Sequence, residues 1–293
     1  MLLLTGATGL VGSTLLGRLL AEGTPVRCLV RDPRRLGAQR VRVQIALGDL
    51  TDPPSFRNAL RGVHTVVHLA AAIRDQPRGS IEELNGIATW RMVEAAERQG
   101  VERFVFFSAL GASNYHRTRC LRAKALAEQA VREADLNSIV FAPSIVYAPG
   151  DPWLALLERL ALLPLMPVSG RGRALFQPIW AENVADCVVA ALRATAEPRH
   201  VRHELAGPET LSHNDIVRTV LRSLGRARPL LHVPTPIVSR ALRLLEAAVG
   251  PRAFATWDEA ELMEVAMTSS RGAADAEALG VTPQPMRAVL GIA

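Results

Sequence analysis

Three glycines open the chemistry of this chain. Gly6, Gly9 and Gly12 stand at G-x-x-G-x-x-G spacing in "TGATGLVG", directly after the apolar run "MLLLTG" and at the head of an amphipathic segment. Gly6 permits a tight turn, Gly9 has no Cβ to hold an anion away from the backbone, and Gly12 lets a helix lie close on a sheet. The unpaired N–H groups of that helix would then face a diphosphate. The next apolar run ends at Arg31, nineteen residues beyond Gly12. An acidic residue there would hold a ribose 2′-hydroxyl, whereas arginine suits a 2′-phosphate. Arg31, helped by Arg34 or Arg35, therefore points to NADP(H) over NAD(H); the alternative gives the ribose to Asp32. Asp49, in "GDL" after the third apolar run, either meets an adenine amino group or caps the following turn.

A second group is defined by rarity. Lys124 is the chain's single lysine among 34 basic residues, and Cys120 lies one helical turn before it in "RCLRAKA". A thiol with a reference pKa of about 8.5, lowered by a nearby ammonium, suits acid–base work. A small buried residue packing beside a ligand is the plainer reading.

These residues need a scaffold. Apolar runs at 26–30, 41–47, 65–71, 103–109 and 138–144 follow the first, separated by helical patterns near 10–22, 53–61, 81–99 and 120–134. Most runs are continuous, which suits strands buried on both faces. Strand and helix in alternation predict an α/β fold: a doubly wound parallel Rossmann sheet with right-handed crossovers. After Gly150 the pattern changes, with a helix after "FQPIW" and others near 212–224, 236–249 and from about 257. We expect a dinucleotide-binding domain over 1–150, with 176–200 returning to it. Residues 151–175 and 201–293 are expected to form a smaller C-terminal lobe over the sheet edge where such folds bind ligands.

Composition bounds the partners. The chain has 293 residues, 49% hydrophobic, 4% aromatic and 21% charged, with a formal net charge of +6. The arginines are scattered among apolar residues, and aromatic stacking platforms are scarce, so nucleic acid is not expected as a partner. Three well-separated cysteines suit a reducing, cytoplasmic setting. No leader or membrane span is expected. His64, His68 and His203 show no metal-ligand spacing, so no metal is expected. The segment 153–167 is apolar almost all round, and 236–250 places Ile237, Ala241, Leu244, Leu245 and Ala248 on one face. Either is a packed core helix or a contact for an apolar small molecule, a protein partner or a membrane surface.

Taken together, "TGATGLVG", "GDLTD", "VVHLAA", "FSALGA", "FAPSIVYAPGD", "FQPIWAENVAD" and "ELAGPE" resemble the extended or atypical short-chain dehydrogenases/reductases over nearly the whole chain. "SALGA" with "LRAKALAEQAV" is most similar to the NmrA-like branch, which includes the Rossmann-fold accessory subunit of respiratory complex I and its bacterial relatives. The resemblance implies a dinucleotide held by Gly6, Thr8, Gly9, Leu10, Val11, Gly12, Arg31, Arg34, Asp49, Leu50, Leu69, Ala70, Ala71, Lys124, Pro143, Ser144 and Ile145. That family's catalytic signature is Tyr-x-x-x-Lys with a preceding Ser or Thr. Lys124 matches the lysine, whose ammonium would reach the nicotinamide ribose, and Ser108 matches the serine that orients a substrate carbonyl. Cys120 occupies the tyrosine position. Tyr115, in the preceding loop, is a candidate substitute acid. The resemblance implies either an oxidoreductase on an apolar carbonyl or quinone-like substrate with a non-standard proton donor, or a non-catalytic dinucleotide-binding accessory subunit or redox sensor. A sugar-nucleotide epimerase/dehydratase is a further alternative. Ala142 and Ala148, where that family commonly has Arg and Gly, weigh against it.

Overall fold

In the computed structural model, residues 1–194, 199–250 and 255–292 are described. Seven parallel strands form one sheet. Six come in sequence from β1 (Leu2–Thr5), β2 (Val26–Val30), β3 (Gln44–Leu47), β4 (Thr65–His68), β5 (Arg103–Phe107) and β6 (Asn137–Pro143). The seventh is His200–Leu205, and the spatial order is seventh–β6–β5–β4–β1–β2–β3. The strand order reverses between β1 and β4. In such sheets the carboxyl ends of the strands at a reversal of this kind are the standard place for a ligand.

Four helices close the main sheet. On one face, α1 (Leu10–Ala21) lies beside Ala181–Arg193; Leu15, Leu16 and Leu19 of the first meet Val184, Cys187 and Val188 of the second in one buried cluster. On the other face, the helix Ala88–Arg98 and the helix Arg119–Glu133 pack Met92, Val93, Ala127 and Val131 against Phe104, Phe106 and Val140. Both faces of the central strands are thus covered, which explains their unbroken apolar sequences. β3 is the exception. Gln44, Ile45 and Leu47 are exposed, because this edge strand has a partner on one side alone.

The sequence reading placed 201–293 in the separate lobe. His200–Leu205 instead pairs residue by residue with β6, from His200 opposite Ser138 to Leu205 opposite Pro143. The short helix Ala274–Ala278 also returns to this strand: Asp275 accepts from the Glu204 backbone N–H at 2.7 Å, and Ala276 joins the main core. The expected helix over 53–61 is one α turn, Pro53–Phe56, followed by a 3₁₀ turn, Arg57–Leu60. The smaller lobe has its own core, in which Leu154, Leu157, Met166, Phe176, Ile216 and Val220 meet. Its first helix stops at Leu160, and Met166–Ser169 is a strand parallel to Leu230–Val233.

Candidate functional site

The mouth of α1 is built by contacts that no side chain could share. Gly6 has φ +71°, and a Cβ on it would lie 2.6 Å from the Ala70 backbone nitrogen; one on Gly12 would lie 2.1 Å from the Gly6 carbonyl oxygen. These two glycines seal the turn against β4 and against itself. Gly9 differs. It is exposed, a Cβ there would meet nothing closer than the Gly6 oxygen at 3.3 Å, and it stands as N-cap with no side-chain hydrogen bond. Its own N–H closes the turn by donating to the Gly6 carbonyl at 2.9 Å. The first-turn N–H groups beyond it lack a capping side chain, and an anion is their natural partner.

Arg31 follows β2 and is exposed, with no hydrogen bond from its guanidinium among the described residues. Asp32 is held by Arg34, which donates from its backbone N–H at 3.0 Å and from its guanidinium at 3.0 and 3.1 Å. Those hydrogen bonds keep the Asp32 carboxyl below its ordinary pKa. Asp49 accepts from the Thr51 backbone N–H and hydroxyl at 3.1 and 2.9 Å and pairs with Arg78 at 3.1 Å. Its carboxylate thus organises the turn after β3 at the expected adenine end. Leu69 and Ala70 line the turn facing Gly6, and Ala71 follows exposed. Ser144, expected at the cofactor, uses its hydroxyl elsewhere: it donates to the Met267 carbonyl at 2.6 Å and accepts from the Gln177 N–H at 3.0 Å.

The catalytic-type residues converge at the end of β5. Lys124 is 7% exposed; its Nζ donates to the Phe107 carbonyl at 2.5 Å and sits 5.1 Å from the Phe106 ring centroid. Burial lowers its pKa to about 8. Ser108, the residue after Phe107, is buried, and its Oγ has no hydrogen-bond partner among the described residues. A buried hydroxyl left unpaired costs on the order of 1–3 kcal/mol, so a group arriving at this end of β5 finds a donor ready to be satisfied.

The proton-donor candidates separate. Cys120 is 9% exposed and packs with Ile81 and Ala123; burial raises its pKa, outweighing the opposing influence of Lys124. The thiol is held in its neutral form. Tyr115 is 98% exposed, so its ring points away from the buried pair. Tyr147 is fully buried in the lobe core, where burial raises its pKa.

Two features escaped the sequence reading. The first is a buried polar chain beneath Lys124. His68 bridges Thr5 Oγ1 at 2.9 Å and Thr89 Oγ1 at 3.1 Å, and Thr89 donates to the Asn85 carbonyl at 2.6 Å. Asn85 lies in a π-helical turn, Glu83–Ile87, and donates to the Ala72 and Ile81 carbonyls at 2.7 and 2.8 Å. Burial, then the Lys124 charge, lower the His68 pKa to about 3, so it is neutral. The second is the docking of a C-terminal helix against the helix that carries Cys120 and Lys124. Arg119, beside Cys120, pairs with Asp75 at 3.0 Å, Glu82 at 2.7 Å and Asp258 at 3.6 Å. Asp258 comes from the short helix Trp257–Leu262, whose Glu259 pairs with Arg74 at 2.7 Å. Asp258 is 8% exposed, and burial raises its pKa to about 6. Nothing in local spacing links residues so far apart in the chain.

Residues 6–152 match the NAD(P)H-binding family. The chain belongs to that family. The NmrA-like, short-chain dehydrogenase/reductase resemblance holds across the relatives. The chain is 30% identical to sterol demethylase protein B of Methylococcus capsulatus, over 86% of this chain and 83% of that one. It is 28% identical to a ceramide reductase of Caulobacter vibrioides, over 83% and 77%. It is also 28% identical to the mitochondrial NADH dehydrogenase [ubiquinone] 1 alpha subcomplex subunit 9 of Arabidopsis thaliana, over 85% of this chain; the match spans 62% of that longer relative. Among solved structures, a nucleoside-diphosphate-sugar epimerase of Staphylococcus aureus superposes with TM-score 0.78 at 18% identity, covering 99% of both chains. The NADPH-dependent quinone oxidoreductase of Escherichia coli, complexed with NADPH, gives 0.76 at 15%, again over 99% of both. At these identities the structural likeness speaks for the fold. The family establishes NAD(P)H binding, and it joins members of several different activities.

Proposed function

We propose that this chain is an NADP(H)-preferring oxidoreductase that reduces an apolar carbonyl or quinone-like substrate without the usual tyrosine. The unpartnered, buried Ser108 Oγ beside the buried Lys124 ammonium carries this reading. The pair can orient a carbonyl oxygen and a ribose hydroxyl by charge-assisted hydrogen bonding. Bound NADPH would supply the hydride. The diphosphate would lie on the first turn of α1 at Gly9, and the 2′-phosphate against Arg31. Asp32, already committed to Arg34, leaves Arg31 and Arg35 as exposed charges at that edge. The apolar substrate class is supported by the relatives named as a sterol demethylase protein and a ceramide reductase.

Cys120 favours a second reading, in which the chain holds NADPH without turning it over. A neutral, buried thiol is too short and too weakly acidic to replace a phenol, and Tyr115 lies at the surface. Two measurements separate the possibilities. Calorimetric titration with NADPH and NADH should show NADPH bound more tightly, with Arg31→Ala erasing roughly tenfold or more of the preference, the strength of a charge-assisted contact. An unchanged ratio refutes the 2′-phosphate assignment. Oxidation of NADPH with a water-soluble ubiquinone analogue should be seen in the wild type and be lost in Lys124→Met. If neither this acceptor nor a long-chain ketone is reduced by a chain that binds NADPH, the non-catalytic reading stands.

A further inference from the structure

The net charge of +6 is concentrated. Residues 216–245 contain six arginines, Arg218, Arg222, Arg226, Arg228, Arg240 and Arg243, and no carboxylate, so the rest of the chain balances to zero. Arg218 pairs with Asp215, and Arg243 stacks 4.5 Å over Trp257. Arg222, Arg226 and Arg240 have no ion-pair partner among the described residues.

The same stretch enters the helix Thr235–Val249, which has no buried residue. Ile237, Ala241, Leu244 and Ala248 recur at helical spacing, the stripe that a packed helix would hide. Here that stripe faces solvent: all four residues are exposed, Ile237 by 56% and Leu244 by 73%. The strand Leu230–Val233, which leads into the helix, exposes Leu231. Leu162, Leu163 and Leu165, just ahead of its partner strand, are exposed too. His232, on that strand, joins Arg171, Arg173 and Asn214 around a cavity of about 280 Å³ that no carboxylate lines.

Isolated exposed leucines need no explanation, but apolar residues gathered on one lobe mark an interaction surface. Charge selects the partner. A second copy would offer these arginines the same excess of arginine, relieved on the helix itself only by Glu246. An anionic lipid surface instead gains roughly fivefold in affinity for each arginine brought near it, while the apolar stripe enters the acyl boundary. No helix among the described residues is long and apolar enough to cross a membrane, so the contact lies in the plane of the interface.

We propose that the helix Thr235–Val249, with the flanking Leu231 and Leu162–Leu165 segments, docks the chain on an anionic lipid bilayer. The Arg171, Arg173 and His232 cavity receives a headgroup phosphate. This proposal is independent of turnover.

Co-sedimentation with phosphatidylcholine vesicles, with and without phosphatidylglycerol, tests it. The wild type should bind the phosphatidylglycerol vesicles at least about tenfold more tightly and release them as salt is raised. Ile237→Glu/Leu244→Glu should abolish binding while melting temperature and NADPH titration stay unchanged. Arg171→Ala/Arg173→Ala should weaken the preference for phosphatidylglycerol. Should the double glutamate variant lose its melting transition, Arg222→Glu/Arg240→Glu, at exposed positions, carries the same test. The proposal is overturned if the wild type ignores both vesicle types, or binds both equally. It is also overturned if the glutamate variant binds undiminished, or if light scattering shows a dimer that this variant dissociates.

Discussion

The glycine mouth and the distal helix Thr235–Val249 solve opposite problems. At the mouth, backbone meets backbone so closely that Gly6 and Gly12 admit no side chain, and both faces of the sheet are sealed. On the distal helix no residue is buried, and Ile237 and Leu244 face water. Closure in one region fixes atoms to within tenths of an ångström for a small ligand. Openness in the other leaves a broad apolar face for something much larger. The difference teaches that the apolar content of a sequence does not by itself say where its core lies.

That contrast can be broken in order of size. Gly12→Val should cost roughly 3 kcal/mol or more, because overpacking against backbone has no side chain to move aside; denaturant titration measures it, and a loss below about 1 kcal/mol would mean the turn is plastic.

Acid comes next. His68 has a folded pKa of about 3 against an ordinary 6.5, so below pH 6.5 the unfolded chain binds a proton that the folded one refuses. Its contribution to stability is complete above 6.5 and falls by up to about 1.4 kcal/mol per pH unit as pH drops toward 3. His213, lowered to about 4, acts in the same direction, and Asp258, raised to about 6, acts against them. The comparison of wild type with His68→Gln isolates the histidine: their stability difference should shrink steadily between pH 6.5 and 4.5. A constant difference would show that His68 is not held neutral.

Gly9→Ala should fold normally, since its new Cβ meets one atom at 3.3 Å. It should still lose roughly tenfold in NADPH affinity by crowding the diphosphate. Smallest of all, Leu244→Glu should change stability by no more than about 0.5 kcal/mol, as an exposed position does; a larger loss would show that this helix packs in solution.

Much of the sealed region was legible from the sequence. Gly6, Gly9 and Gly12 announced the turn because their requirements are steric and local. The continuous apolar runs announced central strands because both faces are covered. β3 kept an apolar sequence yet lies at the edge with Ile45 and Leu47 exposed, and no local signal separates an edge from a centre. His200–Leu205 lies beyond residue 200, where the expected sheet ended; "HVRHEL" interleaves apolar and polar residues, as a strand with one exposed face does, and lacks the continuous apolar run of the central strands. The candidate site was legible at Lys124 and Ser108 through their motif. It was illegible at Asp258 and Asn85, whose roles come from docking and from a π-helical turn. Of the five residues expected on one face of Thr235–Val249, Ile237, Ala241, Leu244 and Ala248 are exposed and Leu245 is half-buried; periodicity groups residues on a face and is silent on what covers it.

Arg119 grips one carboxylate from each side of the gap between Asp75 and Glu82 and a third from a helix more than a hundred residues later. The helix Trp257–Leu262 is therefore tied by charge to the helix that carries Cys120, and raised salt should loosen that tie before it disturbs the glycine turn, whose packing involves no ions.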